Sequence, residues 1–260
     1  MLRESKRANV GHIGSALSIA DILAAVYAIV LRGSSPEDSE RDRFILSKGH
    51  AALALYAALA LRHWLDPALL STFCADDSLL GVHPEHELAG VEFSTGSLGH
   101  GLAFGAGAAL AARMQGSERR VFVLLSDAEC NEGSVWESVM FAAHHHLTNL
   151  IAIVDDNEQQ ALGRTADVLS LSPLGPRWSA FGWDVQDVDG HDVGALARAM
   201  SPGAASARPR AVIAHTIFGK GVPFMERQIK WHYWPMSDEE FGLALEALRM
   251  DGCEPPSSPR

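Results

Sequence analysis

The apolar positions of this chain switch repeatedly between two periods. Over 18–30, Ile19, Ile22, Leu23, Val26, Ile29 and Val30 recur at helical spacing. That spacing predicts a helix with Ser18 as its N-cap ahead of Asp21. Residues 43–46 form a short strand-like run that stops at Ser47-Lys48-Gly49, and a helix is predicted from 51 to about 63. The Gly- and Ala-rich stretch 98–114 predicts a buried helix packed closely on its neighbours. Apolar strands then alternate with helices: a strand at 121–125, a helix over 134–146 and a strand at 150–154. A third strand follows the lead-in at 181–185, with a helix near 193–200 and a fourth strand at 211–214. Strands apolar on both faces and separated by helices predict an α/β fold, a doubly wound parallel sheet with helices on both faces. The segment 201–209 reads as a surface loop and 254–260 as a frayed tail. No internal repeat is visible. At 260 residues, 47% of them hydrophobic, the chain is expected to form a single domain over 1–260 with a sizeable core.

Charge and cysteine usage narrow the class. The 21 Lys and Arg stand against 32 Asp and Glu, a net charge of −11. Such a surface lacks the counter-charge that holds nucleic acid or an anionic membrane, so neither is expected as a partner. Cys74, Cys130 and Cys253, odd in number and widely spaced, fit a reduced, cytoplasmic protein. The longest apolar run, 19–31, is interrupted by Asp21 and ends at Arg32. It is too short and too polar to span a bilayer, and no signal peptide is expected ahead of it.

In doubly wound sheets, ligands bind beyond the carboxyl ends of the strands. The first central strand is followed by Ser126-Asp127-Ala128-Glu129 and the second by Asp155-Asp156-Asn157. Asp127 and Asn157 are one strand–helix–strand unit apart, so neighbouring parallel strands would present them side by side. A carboxylate with an amide oxygen suits Mg²⁺, which completes its octahedron with phosphate oxygens and water. Helix N-capping accounts for the same two residues equally well. His12, His50, His83 and His232 each sit in a polar or glycine-bounded turn, where imidazoles can hold hydroxyls or phosphates or shuttle protons near neutral pH. Each taken alone also reads as an ordinary surface histidine. His144-His145-His146 point different ways on a predicted helix, and His83 with His86 lacks a third ligand, so zinc is not expected.

Taken in order, these pieces resemble the N-terminal, thiamine-diphosphate-binding part of the transketolases. The resemblance runs from about residue 11 to 241. It rests on Gly11-His12-Ile13-Gly14-Ser15, Leu46-Ser47-Lys48-Gly49-His50 and Thr95-Gly96-Ser97-Leu98-Gly99-His100-Gly101. It continues through Ser126-Asp127-Ala128, Glu132-Gly133-Ser134-Val135-Trp136-Glu137 and Asn157 to His215-Thr216-Ile217-Phe218-Gly219-Lys220-Gly221, Phe224-Met225-Glu226 and Trp231-His232. The resemblance implies that Asp127, the side chain of Asn157 and the backbone carbonyl of Gln159 hold Mg²⁺. It implies that Gly96, Ser97 and Leu98 line the thiamine, that His50 lies near the diphosphate, and that Ala128 offers its N–H to a phosphate oxygen. His12, His83 and His232 match histidines that face the donor sugar and handle its hydroxyl protons. Glu132 matches a glutamate between paired cofactor sites. Two departures stand out. Ala128 puts a methyl where the family has glycine, and Asp156 and Glu158 flank Asn157 with carboxylates that would repel a diphosphate.

In this family, the glutamate that protonates the aminopyrimidine comes from a second, pyrimidine-binding domain. So do the basic residues that grip the sugar phosphate. The resemblance therefore implies the N-terminal subunit of a split transketolase, inactive until a C-terminal partner subunit joins it in a heterotetramer. Contacts are expected from 98–112 and 132–136. The implied reaction moves a two-carbon ketol unit from a ketose donor to an acceptor. Two alternatives remain at this stage: a thiamine-dependent subunit that uses a 2-keto acid or delivers its two-carbon unit to a carrier protein, and a non-catalytic scaffold subunit.

Overall fold

The computed structural model describes residues 1–201 and 207–250. The helices are α1 (Leu2–Ala8), α2 (Ile13–Ser18), α3 (Ala20–Ala25), α4 (Ala52–Leu61), α5 (Gly101–Met114) and α6 (Gly133–His144), then α7 (Thr165–Val168), α8 (Leu174–Ala180), α9 (Val193–Met200), α10 (Lys230–Tyr233) and α11 (Asp238–Met250). The strands are β1 (Arg43–Leu46), β2 (Val121–Ser126), β3 (Leu150–Asp156), β4 (Gln159–Gln160), β5 (Gly163–Arg164), β6 (Asp184–Asp189) and β7 (Arg210–His215). Five strands form one parallel sheet in the order β1-β2-β3-β7-β6, and β4 pairs with β5 as a small antiparallel hairpin.

The two-residue period of the strands divides the core. Phe44, Leu46, Phe122, Leu124, Ile151, Ile153 and Val212 face one side and pack with residues of α3, α4 and α9 such as Ile22, Leu23, Leu59 and Leu196. Ile45, Val123, Leu125, Ala152, Val154 and Ile213 face the other and pack with Leu102 of α5, Val135 and Val139 of α6 and Trp178 of α8. The parallel sheet covered on both faces is thus present as expected. A third cluster, including Ile13, Phe218, Met225, Trp231 and Ala244, brings α2, α10 and α11 together.

Three local expectations are corrected. The single helix over 18–30 is instead α2, α3 and a π-helical turn over Val26–Val30. Ser18 ends α2 and caps nothing: its buried hydroxyl donates to Ser15 O (3.0 Å) and to Asp155 Oδ2 (2.9 Å). Donation to a charged acceptor on a distant strand fixes this hydroxyl away from the next helix, and spacing along the chain cannot reveal it. Strand β6 starts at Asp184, because Trp183 is buried on α6 with its Nε1 donating to Val139 O (3.0 Å). It is an edge strand with half-exposed residues, and β7 lies between it and β3. Of the predicted loop at 201–209, residues 202–206 lie outside the described residues, as does the predicted tail at 254–260. No helix among the described residues is long and apolar enough to cross a membrane.

The glycines of α5 set how closely it sits on the sheet. A Cβ added at Gly105 would lie 2.3 Å from Val123 Cγ2, and one at Gly101 would lie 2.3 Å from Ser47 Oγ. Helix α5 starts only at Gly101 because Gly99, at φ +86°, turns the chain where a side chain would strike Glu132 Cβ at 2.6 Å. Gly105→Ala is expected to destabilise the fold by about 1–3 kcal/mol through overpacking, as read by urea unfolding.

Candidate active site

The carboxyl ends of β1, β2, β3 and β7 meet around one buried ion pair. Lys48, just past β1, places Nζ 2.5 Å from Asp155 Oδ2, and both side chains are fully buried. Asp155 also accepts hydrogen bonds from Ser18 Oγ (2.9 Å), Asn157 Nδ2 (2.7 Å) and Thr216 Oγ1. A buried ion pair is tolerable only when its remaining polar atoms are satisfied, and four donors from four segments satisfy this carboxylate. Of these partners Ser18 is the expected N-cap, and Lys48 and Thr216 fall inside motifs that carry the resemblance, but nothing along the chain marks the three as donors to one carboxylate.

Asp127 and Asn157 lie side by side, as one strand–helix–strand unit predicts. Ser126 pairs with Asp155 in register, and Asp127 N–H donates to Asp155 O (3.1 Å). Asp127 Oδ1 accepts from Ala128 N (2.9 Å) and Oδ2 from Glu158 N (3.0 Å), while Asn157 Oδ1 accepts from Gln159 N (2.9 Å). Both residues therefore do cap local turns, and they also form a buried oxygen-rich pair with Gln159 beside it. Burial, then the Asp155 and Asp156 carboxylates, push Asp127 up to about 8. A desolvated carboxylate facing other carboxylates is a donor set that a hard cation would relieve. Among the described residues no three His, Cys, Asp or Glu side chains group to hold a metal. The expected set differs in kind, with one carboxylate, one amide oxygen and one backbone carbonyl, and the residues present fit a Mg²⁺ that takes its other ligands from phosphate and water.

Ala128 lies in a 3₁₀ turn, Ala128–Asn131, where φ is negative and a methyl carries no strain. Its N–H is engaged by Asp127. Asp156 pairs with His215 Nδ1 (3.0 Å) and Glu158 with Arg227 (3.1 Å), so each flanking carboxylate has its own partner.

Three of the four loop histidines converge. The ring centroids of His12, His50 and His232 are 5.4, 5.3 and 5.4 Å apart, a near-equilateral triangle. His12 sits at φ +64° ahead of α2, and its N–H donates to His232 O (3.1 Å). His50 Nε2 lies 3.0 Å from Ser15 Oγ. The Nδ1 atoms of His12 and His232 are buried with no hydrogen-bond partner among the described residues. His83 is exposed, and its ring lies against Gly96: a Cβ there would sit 3.1 Å from His83 Cδ2. His83 and Gly96, with Thr95, Ser97, His100 and Phe104, line a cavity of about 540 Å³. Leu98 is half-buried, three residues ahead of α5. Burial holds His12 below its ordinary value, helped by His83 and Lys48, and holds His50 well below. Burial, His12 and Lys48 bring His232 down to about 4. Neutral imidazoles at pH 7 can both accept and donate.

Glu132 is exposed at the head of α6, with its Cβ against Gly99. The neighbouring Glu129 was not singled out in the sequence, yet it is fully buried. Its Oε1 accepts from Ser47 Oγ and Gly99 N (2.8 Å), and its Oε2 accepts from Ser126 N (3.3 Å). It thereby ties the 96–101 loop to the ends of β1 and β2.

The lowered histidines make a signed prediction. His232 takes up its proton near 6.5 when unfolded but near 4 when folded, so its contribution to stability is complete above about 6.5. That contribution is lost as pH falls through this window, by at most about 1.4 kcal/mol per pH unit for one group. Stability measured relative to His232→Gln by urea unfolding should therefore fall between pH 7 and pH 4. Comparison with the variant isolates the histidine from Asp127, whose raised value acts in the opposite sense.

The family model for the transketolase thiamine-diphosphate-binding domain matches residues 2–258. An apulose-4-phosphate transketolase subunit of Phocaeicola vulgatus is 39% identical over 245 residues, covering 93% of this chain and 87% of its own length. A 6-deoxy-6-sulfo-D-fructose transketolase subunit from a Clostridium species is 37% identical over 256 residues, covering 97% and 93%. Among solved structures, transketolase from Campylobacter jejuni superposes with a TM-score of 0.89 at 30% identity. That match covers 98% of this chain and 41% of the Campylobacter protein. The chain belongs to the transketolase family and corresponds to its thiamine-diphosphate-binding domain.

Proposed function

We propose that this chain is the N-terminal, thiamine-diphosphate-binding subunit of a two-component transketolase that moves a two-carbon ketol unit from a ketose donor to an acceptor. The observation that carries the reading is the meeting, at the carboxyl end of the sheet, of the buried Asp127–Asn157 pair with three clustered histidines whose charged form burial disfavours. Relatives named as transketolase subunits share most of their length with the chain, whereas the chain spans about two-fifths of a solved whole transketolase.

Thiamine diphosphate, when bound, supplies the carbanion-stabilising chemistry of ketol transfer. Asp127, Asn157 and the backbone carbonyl of Gln159 would hold Mg²⁺, with Ala128 and His50 at the diphosphate. Gly96, Ser97 and Leu98 would line the thiamine. His12, His83 and His232 would hold the donor's hydroxyls and move their protons, and burial favours the neutral form of His12 and His232. The whole of 1–260 would act as one diphosphate-binding unit.

The partner would be a C-terminal subunit carrying the pyrimidine-binding domain, in a heterotetramer. Helices α5 and α6 leave Phe104, Met140 and Phe141 exposed, and Gly107 has open space beside it, which suits a close-packed contact between subunits. Glu132, exposed at the head of α6, would lie in that contact and couple paired sites. Cys74 and Cys130 are free thiols, which supports a reducing, cytoplasmic setting. The unstrained Ala128 and the paired Asp156 and Glu158 count against a scaffold that has lost its cofactor.

Calorimetric titration of thiamine diphosphate with Mg²⁺, on the chain alone and with its partner subunit, tests the proposal. Binding should be weak alone and tighten at least about tenfold with the partner, a coupling of about 1.4 kcal/mol. It should release protons and strengthen from pH 6 to 8 as Asp127 ionises. Asp127→Asn and Asn157→Ala should each weaken it by about tenfold or more with the circular dichroism unchanged. No binding in either state would contradict the proposal.

A further inference from the structure

Helix α10 ends at Tyr233 with Trp234 just past it, an aromatic pair that no role described so far employs. Trp231 is buried in the third core cluster and His232 faces His12 and His50, but Tyr233 and Trp234 remain 52% and 65% exposed. Tyr233 is nevertheless held firmly. Its ring centroid lies 4.8 Å from that of His232 and 6.2 Å from that of His12. Its carbonyl lies so near Gly11 that a Cβ there would be 2.3 Å away. On either side, His12 N–H donates to His232 O (3.1 Å) and Trp234 N–H to Lys230 O (2.9 Å). A rigidly presented ring with two χ angles loses little entropy when a ligand covers it.

The chemistry of the corner is mixed. Two buried imidazole nitrogens, His12 Nδ1 and His232 Nδ1, have no partner among the described residues, and both rings lie near that of Tyr233. The nearest cation along the chain, Lys230, is committed to Glu240 and to the face of Trp231, 4.6 Å from its centroid. A polar cluster bordered by a fixed aromatic wall suits a polyhydroxylated chain, with hydroxyls on the imidazoles and the C–H edge on the ring.

Resting on the ketol-transfer reading, we propose that Tyr233, with Trp234 beside it, forms the wall against which the distal carbons of a ketose donor lie. Tyr233 is then a specificity-determining residue for donor length. A six-carbon donor reaches it, whereas a three-carbon donor ends at the histidines.

The test uses the chain assembled with its partner subunit. Two donors of the same two-carbon unit, fructose 6-phosphate and hydroxypyruvate, are supplied with one common aldose acceptor. Tyr233→Ala should lower the ratio of kcat/KM for fructose 6-phosphate over hydroxypyruvate by about fivefold or more, chiefly through KM. Tyr233→Phe, which keeps the ring, should hold that ratio within about twofold of the starting protein. An unmoved ratio in Tyr233→Ala overturns the inference. So does a parallel loss with both donors accompanied by weaker assembly of the two subunits, which would assign the aromatic pair to the interface between them. If the unmutated assembly turns over neither donor, this inference falls, while the cofactor titration described above decides the ketol-transfer reading separately.

Discussion

The strand ends of this protein are held in register by one carboxylate. Asp155 sits at the end of the central strand β3, and Lys48, Ser18, Asn157 and Thr216 all donate to it. Removed from water, a lone carboxylate there would be prohibitively costly. Paired with Lys48 and fully hydrogen-bonded, it turns that cost into a demand that β1, α2, β3 and the segment after β7 occupy fixed positions. The position of Asn157 follows directly, because its amide nitrogen is committed to Asp155 and its oxygen to the turn beside Asp127.

The same low dielectric shapes the chemistry on either side of the hub. Lys48 is the buried positive charge, and together with burial it helps keep His12, His50 and His232 neutral. On the carboxylate side, burial and Asp155 make Asp127 reluctant to ionise unless a cation arrives. One ion pair thus separates a neutral imidazole region, suited to hydroxyl groups, from an oxygen-rich corner suited to a metal and its phosphate. Glu129 performs a related task for the 96–101 loop, which it ties to β1 and β2.

Much of this was legible in the sequence, for physical reasons. Strands β2 and β3 are apolar at nearly every position, so their identity and adjacency followed from run length and spacing, and with them the meeting of Asp127 and Asn157. The close seat of α5 followed from its glycines. What stayed hidden depends on contacts across the fold. Ser18 looked like a cap because nothing local marks a hydroxyl aimed at Asp155. The order of β6 and β7 is set by how the crossovers pack, and the half-exposed edge strand has no apolar run to declare it. Glu129 and Lys48 read as ordinary polar residues until burial shows that they have no water to turn to.

For the strand ends to be held in this way, Lys48 and Asp155 must act as one unit. A double-mutant cycle with Lys48→Met and Asp155→Asn, read by urea unfolding at pH 7, measures their coupling directly. Each single change should cost about 3–5 kcal/mol by stranding its buried partner, and the double change should cost at least about 2 kcal/mol less than their sum. Effects that add to within about 0.5 kcal/mol would contradict it, and would mean that the strand ends are positioned without the pair.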